Sequence, residues 1–89
     1  MIQSLKHQAT HKFWALYDQL PKDIRELADR HYELLRNEPK HPSLHFKNIG
    51  HNRWSVRIGR DFRALALERD MVFTWVWIGP HHQYDRLIK

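Results

Sequence analysis

The residues best equipped for chemistry lie in the second half of this chain. Arg57 and Arg63 flank the turn Gly59-Arg60-Asp61, and His81, His82 and Tyr84 follow Gly79-Pro80. A three-residue turn with glycine is a common hairpin connection. Counted outward from it, Ile58 faces Phe62, Arg57 faces Arg63, Val56 faces Ala64 and Trp54 faces Ala66. The apolar pairs then share the buried side of the sheet, and the two arginines share the other side, directly opposed. Like charges opposed across a strand pair are unfavourable. The pair is tolerable with an anion, phosphate or carboxylate, held between the guanidiniums, or with the two side chains turned apart into solvent. Lys47, Arg60, His81, His82 and Arg86 can add to the same basic face.

Eight histidines raise the question of a metal. His41 and His45 are four apart, but Pro42 intervenes and no helix can align them. His7 and His11 have helical spacing, yet Thr10 marks a helix start between them. In extended chain the adjacent His81 and His82 point opposite ways. No HExxH or comparable pattern is present, so no metal ligands are assigned. His31, on an apolar helical stripe, reads as a half-buried structural histidine. A glycine-rich phosphate loop and a nucleophile elbow are also missing from the sequence.

The charge distribution agrees with a basic working face. The net charge is +5 and the pI about 9.9. Residues 1–39 carry six Lys/Arg and six Asp/Glu, whereas residues 40–89 carry nine and four, so the whole excess lies in the second half. That segregation suits a nucleic acid or an acidic protein partner. Eighty-nine residues suffice for one domain spanning 1–89. The absence of cysteine excludes disulfides and thiolate metal sites and fits a reducing cytosol. The N-terminal residues lack a signal-like apolar run, and no stretch reaches membrane-spanning length, so a cytoplasmic protein is expected.

The elements that must position these residues follow from periodicity. Residues 1–6 alternate weakly and allow a short edge strand. Phe13, Trp14, Leu16, Tyr17 and Leu20 recur at helical spacing over residues 9–20, with Thr10 as N-cap. Pro21 opens a second helix, with Ile24, Leu27, Ala28, His31 and Leu35 on one face, running to about Asn37. The segment Asn37-Glu38-Pro39-Lys40-His41-Pro42 must leave helical geometry. From Leu44 the period becomes two, with a turn over residues 48–52, the hairpin above, a tight turn at Arg69-Asp70, and residues 71–78 apolar on both faces as a central strand. The expected class is α+β: two N-terminal helices on one face of a three- to four-stranded antiparallel sheet, with an extended tail after Gly79-Pro80.

Taken together, the paired helices ending in N-E-P-K-H-P-S-L, the hairpin W-S-V-R-I-G-R-D-F-R-A-L and the closing W-I-G-P-H-H-Q-Y-D-R-L resemble the RelE/ParE superfamily of bacterial toxins. The resemblance covers nearly the whole chain and sits nearest the RelE-like and HigB-like branch. It implies a cytoplasmic toxin of a type II toxin–antitoxin system, held by a cognate antitoxin. RelE-like members cut messenger RNA on the ribosome without metal or cofactor, and ParE-like members poison DNA gyrase instead. Arg63 matches the arginine of the family's Tyr-Arg motif, with Phe62 in place of the tyrosine. Arg57 holds a strand position that is often basic there. His81 matches the C-terminal histidine of histidine-using members, and Tyr84 the aromatic residue after it. Pro80 stands where a small polar residue is more familiar, and the lysine-rich strand of some ribonucleases is reduced here to Arg57.

The chemistry that the resemblance implies is metal-free cleavage of RNA. A base takes the 2′-hydroxyl proton, an acid serves the leaving 5′ oxygen, and positive charge meets the phosphorane-like transition state. In that scheme His81 is acid or base, with His82 as its substitute. Arg57 and Arg63 clamp phosphate, and Tyr84 stacks on a base or orients the scissile group. Lys47, Arg60, His82 and Arg86 contact RNA. The alternatives are a gyrase poison of the ParE type and an inactive toxin-fold interaction module.

Overall fold

The computed structural model describes residues 6–89. Strand β1 (Lys6–Ala9) leads into helix α1 (His11–Asp18) and helix α2 (Lys22–Asn37). A single 3-10 turn (Pro42–Leu44) precedes β2 (Lys47–Gly50), β3 (Arg53–Ile58), β4 (Phe62–Arg69), β5 (Val72–Pro80) and helix α3 (His81–Leu87). The sheet order is β1-β5-β4-β3-β2, with β1 parallel to β5 and the other pairs antiparallel.

The helix pair forms as its sequence dictates. Thr10 caps α1, its hydroxyl accepting from the Phe13 amide at 3.1 Å. Pro21 precedes α2 as its cap residue, Asp23 lies in the first turn and Arg36 in the last. The phenol of Tyr17 ties the helices together by donating to Asp29 Oδ1 at 2.6 Å. Gly59, in the β3–β4 turn, has φ +61°, and a Cβ there would lie 2.7 Å from Leu27 Cδ2, so α2 seats directly on the hairpin. The core between helices and sheet contains Leu20, Ala28, Leu35, Leu44, Val56, Ile58, Ala64, Ala66, Phe73, Trp75 and Ile78. His31 is half-buried, as its place on the apolar stripe predicts.

The α+β architecture stands, with four corrections. The sheet has five strands and is mixed, not three- to four-stranded and antiparallel. Its extra member, Lys6–Ala9, carries no apolar alternation, because an edge strand needs only its backbone paired. The strand expected over residues 1–6 lies outside the described residues except for Lys6. The strand expected from Leu44 begins only at Lys47, because His45 takes a left-handed backbone (φ 46°, ψ 42°) that ends the 3-10 turn and breaks the extended run. Strand β5 is paired on both sides, but β4 holds the middle of the sheet. The tail is a helix: Pro80, at φ −64° and ψ 146°, directs the chain from β5 straight into α3.

A bulge decides which face β5 shows. Leu65 pairs with Trp77 and Ala66 with Trp75, leaving Val76 as an extra residue. Two tryptophans two apart would share a face in a regular strand. Here Trp75 enters the helix-side core, 5 % exposed, while Trp77 turns to the face that carries the arginines.

Candidate functional site

The hairpin register is the one counted from the turn: Arg57 stands opposite Arg63, Val56 opposite Ala64 and Ile58 opposite Phe62. The arginines lie on the sheet face away from α1 and α2. Alternation puts Arg53, Ser55 and Leu65 on that face, with Lys47 opposite Ser55 and Gly79 opposite Arg63.

The face is not bare. Helix α3 packs on β4 and β5, and its Tyr84 is buried, with its ring 6.4 Å from that of Trp77. The Trp77 ring lies over Gly79: a Cβ at Gly79 would come 2.7 Å from Trp77 Cζ2. Ser55 and Leu65 are buried in the same layer. Tyr84 is therefore a packing residue as the chain stands, and the half-exposed aromatic surface beside the arginines is Trp77.

The opposed guanidiniums resolve their repulsion by parting. Arg63 turns back along the hairpin, its Nη1 donating to the carbonyls of Phe62 at 2.8 Å and Arg60 at 3.4 Å. Arg57 turns toward β2, where its Nη1 lies 3.4 Å from His45 Nε2. Its Nε is buried without a partner. From beneath the strand, His31 of α2 approaches the backbone of Arg57, and burial holds the His31 pKa below its ordinary value although that backbone acts to raise it. Among the described residues, neither arginine has a carboxylate partner. Two permanent charges thus lie on one half-exposed face without counter-ions among the described residues, an arrangement that favours negative charge beside it.

The remaining sequence candidates are distributed around this pair. Lys47 is exposed on the same face. Arg60 is exposed in the turn that ends β3. His81 opens α3; its amide donates to the Asp61 carbonyl at 2.8 Å, and its Nδ1 lies 3.2 Å from Asp85 Oδ2. His81 shares the flank of α3 near the buried Tyr84, whereas His82 and Arg86, at 100° per residue, take the outward side. The helix thus separates His81 from His82 by a rotation around its axis, not by the opposite pointing of an extended tail, and it draws His82 and Arg86 away from the arginine pair. Sequence reasoning missed Trp77, whose face depends on the bulge at Val76. It also missed the contact of His45 with Arg57, having considered His45 only as half of a metal pair.

No protein-family model matches this sequence, and no curated protein matches it either. Solved structures do. A chain of the RelB–RelE antitoxin–toxin complex from Methanococcus jannaschii superposes with a TM-score of 0.71 at 15% identity, over 92% of this chain and 99% of that one. A mutant of the E. coli toxin RelE in its free state gives 0.69 at 11% identity, over 93% and 90%. The fold is that of the RelE toxins. YafQ from E. coli shares it, with a TM-score of 0.70 at 10% identity over 90% of this chain and 97% of the other. At such identities the backbone is what the RelE fold contributes. The chemistry has to be argued from the arginine face of this sequence.

Proposed function

We propose that this chain is the toxin of a type II toxin–antitoxin pair in the RelE/ParE superfamily, acting in the cytoplasm as a metal-independent endoribonuclease on ribosome-bound messenger RNA. The observation that carries the reading is the pair Arg57 and Arg63, without carboxylate partners among the described residues, on the sheet face opposite α1 and α2. Guanidiniums so placed bind the scissile phosphate and oppose the charge that builds on it. Trp77 offers an aromatic surface on which an unstacked base can lie. Lys47 and Arg60 add charge along the path of the backbone, and His81 stands at the rim.

The same face suits the cognate antitoxin, which covers the arginines with acidic or apolar side chains. The similar structure from Methanococcus jannaschii is of an antitoxin–toxin complex, which supports such a partner.

The test is to induce the protein and map messenger ends in the arrested cells. The expected result is new 5′ ends within translated frames, and Arg57→Ala or Arg63→Ala abolishes both cleavage and arrest while the thermal midpoint stays near the parent's. Intact messages in arrested cells would reject the nuclease, and trapped gyrase–DNA complexes in those cells would establish the gyrase poison in its place. A chain that is harmless on induction but still binds its antitoxin would be an interaction module.

A further inference from the structure

The nuclease reading leaves the base unassigned, and the geometry points to His45. We propose that the His45 imidazole takes the 2′-hydroxyl proton of an RNA strand whose phosphate is held by Arg57. The inference rests on the proposed nuclease activity and adds to it a residue that neither the hairpin pattern nor the C-terminal motif singles out.

His45 is held in place from both sides. Leu44 before it is fully buried, and Phe46 after it packs its ring 4.8 Å from that of Trp54 and 5.3 Å from that of Phe73. Between these two anchors the His45 backbone is left-handed, an uncommon conformation for a residue with a β-carbon. Its amide donates to the Pro42 carbonyl at 3.3 Å, closing the 3-10 turn. The result is an exposed imidazole on a rigid, strained support, the kind of position that recurs at functional sites.

The imidazole faces the phosphate clamp through its Nε2. Arginine has only donors, so at 3.4 Å from Arg57 Nη1 the His45 Nε2 is the acceptor and Nδ1 carries the hydrogen. A phosphate that draws the guanidinium away leaves the Nε2 lone pair free beside the ribose. The other histidines near this corner are occupied. His41 Nδ1 accepts from the Ser43 amide at 3.1 Å, and His31 is half-buried beneath β3. His81 is paired with Asp85 and follows Pro80, which stands opposite Phe62, itself opposite Ile58. That puts it two strands from Arg57, about 10 Å at ordinary strand spacing.

The step balances without a metal or a redox partner. The 2′-oxygen loses its proton to His45 and forms a bond to phosphorus as the bond from phosphorus to the 5′ oxygen breaks. The departing oxygen takes a proton from water, and the hydroxide left behind is neutralised by the proton on His45. The products are a 2′,3′-cyclic phosphate and a 5′-hydroxyl end.

Two substitutions test this while keeping the left-handed turn, since Asn and Gly both tolerate it. His45→Gly and His45→Asn are assayed on ribosomes carrying a short synthetic messenger, with circular dichroism as the fold control. The expected loss in kcat is about 10²- to 10⁴-fold, with KM little changed, and added imidazole restores part of the activity to His45→Gly, where it has room, but not to His45→Asn. Cleavage by either variant at the parent's rate overturns the assignment. So does a loss expressed in KM that imidazole does not rescue, which would make His45 a support for Arg57. If the unsubstituted chain leaves the messenger whole, the nuclease reading fails and this assignment with it; an active parent with an active His45→Gly sinks only His45.

Discussion

The two faces of the sheet use the same strands and the same alternation, yet they are built differently. On the helix side, Val56, Ile58, Ala64, Ala66, Phe73, Trp75 and Ile78 meet the apolar stripes of α1 and α2. Trp75 Nε1 donates there to His7 Nδ1 at 3.1 Å, whereas His7 Nε2, His31 Nδ1 and Trp54 Nε1 are buried without partners. On the other side a thin layer of Ser55, Leu65, Trp77 and Tyr84 is bordered by Arg57, Arg63 and Lys47. The first face stores stability. The second holds charge that the fold does not consume, and that is the character of a surface kept for something else.

The sharpest way to break this contrast is to truncate the two tryptophans separately. Trp75→Ala removes a buried ring and should cost about 3–5 kcal/mol in urea unfolding. Trp77→Ala should cost less than half as much and should show itself in weakened RNA binding. Equal costs would mean that the arginine face is a second core and not a site. A smaller effect is expected from Gly79→Ala. The added methyl meets the Trp77 ring at 2.7 Å and should cost about 1–3 kcal/mol by forcing the ring off its seat, with a shift in tryptophan fluorescence to report it.

Smaller again is the link between the helices. Tyr17→Phe removes one partly exposed hydrogen bond, for about 0.5–1.5 kcal/mol. The bond to Asp29, and then burial, push the Tyr17 phenol up to about 12. The unfolded chain therefore releases this proton first, so the contribution is intact below about pH 10 and is lost between pH 10 and 12. An alkaline titration of the thermal midpoint should lose that slope in Tyr17→Phe. The smallest effect is on the acid side. Burial lowers the pKa of His7, with Arg36 adding to it, and burial also lowers that of His31. The unfolded chain then binds these protons more readily, so stability is full above about pH 6.5 and declines as the pH falls through the depressed folded values. Scanning calorimetry from pH 7.5 to 5 checks the sign, and His31→Gln should flatten part of the decline.

What was legible in the sequence was whatever local rules control. The register of Arg57 on Arg63 followed from a three-residue turn and three apolar pairs. The extent of α2 followed from its stripe and the prolines on either side. Three features were not legible, each for a different reason. Strand β1 has no amphipathic signal, because only its backbone is used. The sidedness of Trp77 hangs on one inserted residue, and no composition rule marks Val76 as a bulge. The contact of His45 with Arg57 joins a turn residue to a strand 12 positions away, and it depends on a left-handed backbone at a histidine. The helix after Pro80 could have been inferred, since proline readily opens a helix, but adjacent histidines drew attention to an extended tail.

The pairing of β1 with β5 also bears on how the chain is made. Lys6 pairs with Val72 and Ala9 with Trp75, so the first described strand waits 66 residues for its partner. Strand β1 closes the edge of β5, and Trp75 at the end of that ladder is part of the central core. During synthesis the helices and the hairpin can form locally, but this edge cannot close until β5 has been made. The chain therefore passes most of its emergence with an unfinished sheet, and the last strands to arrive complete both the fold and the face that carries its charge.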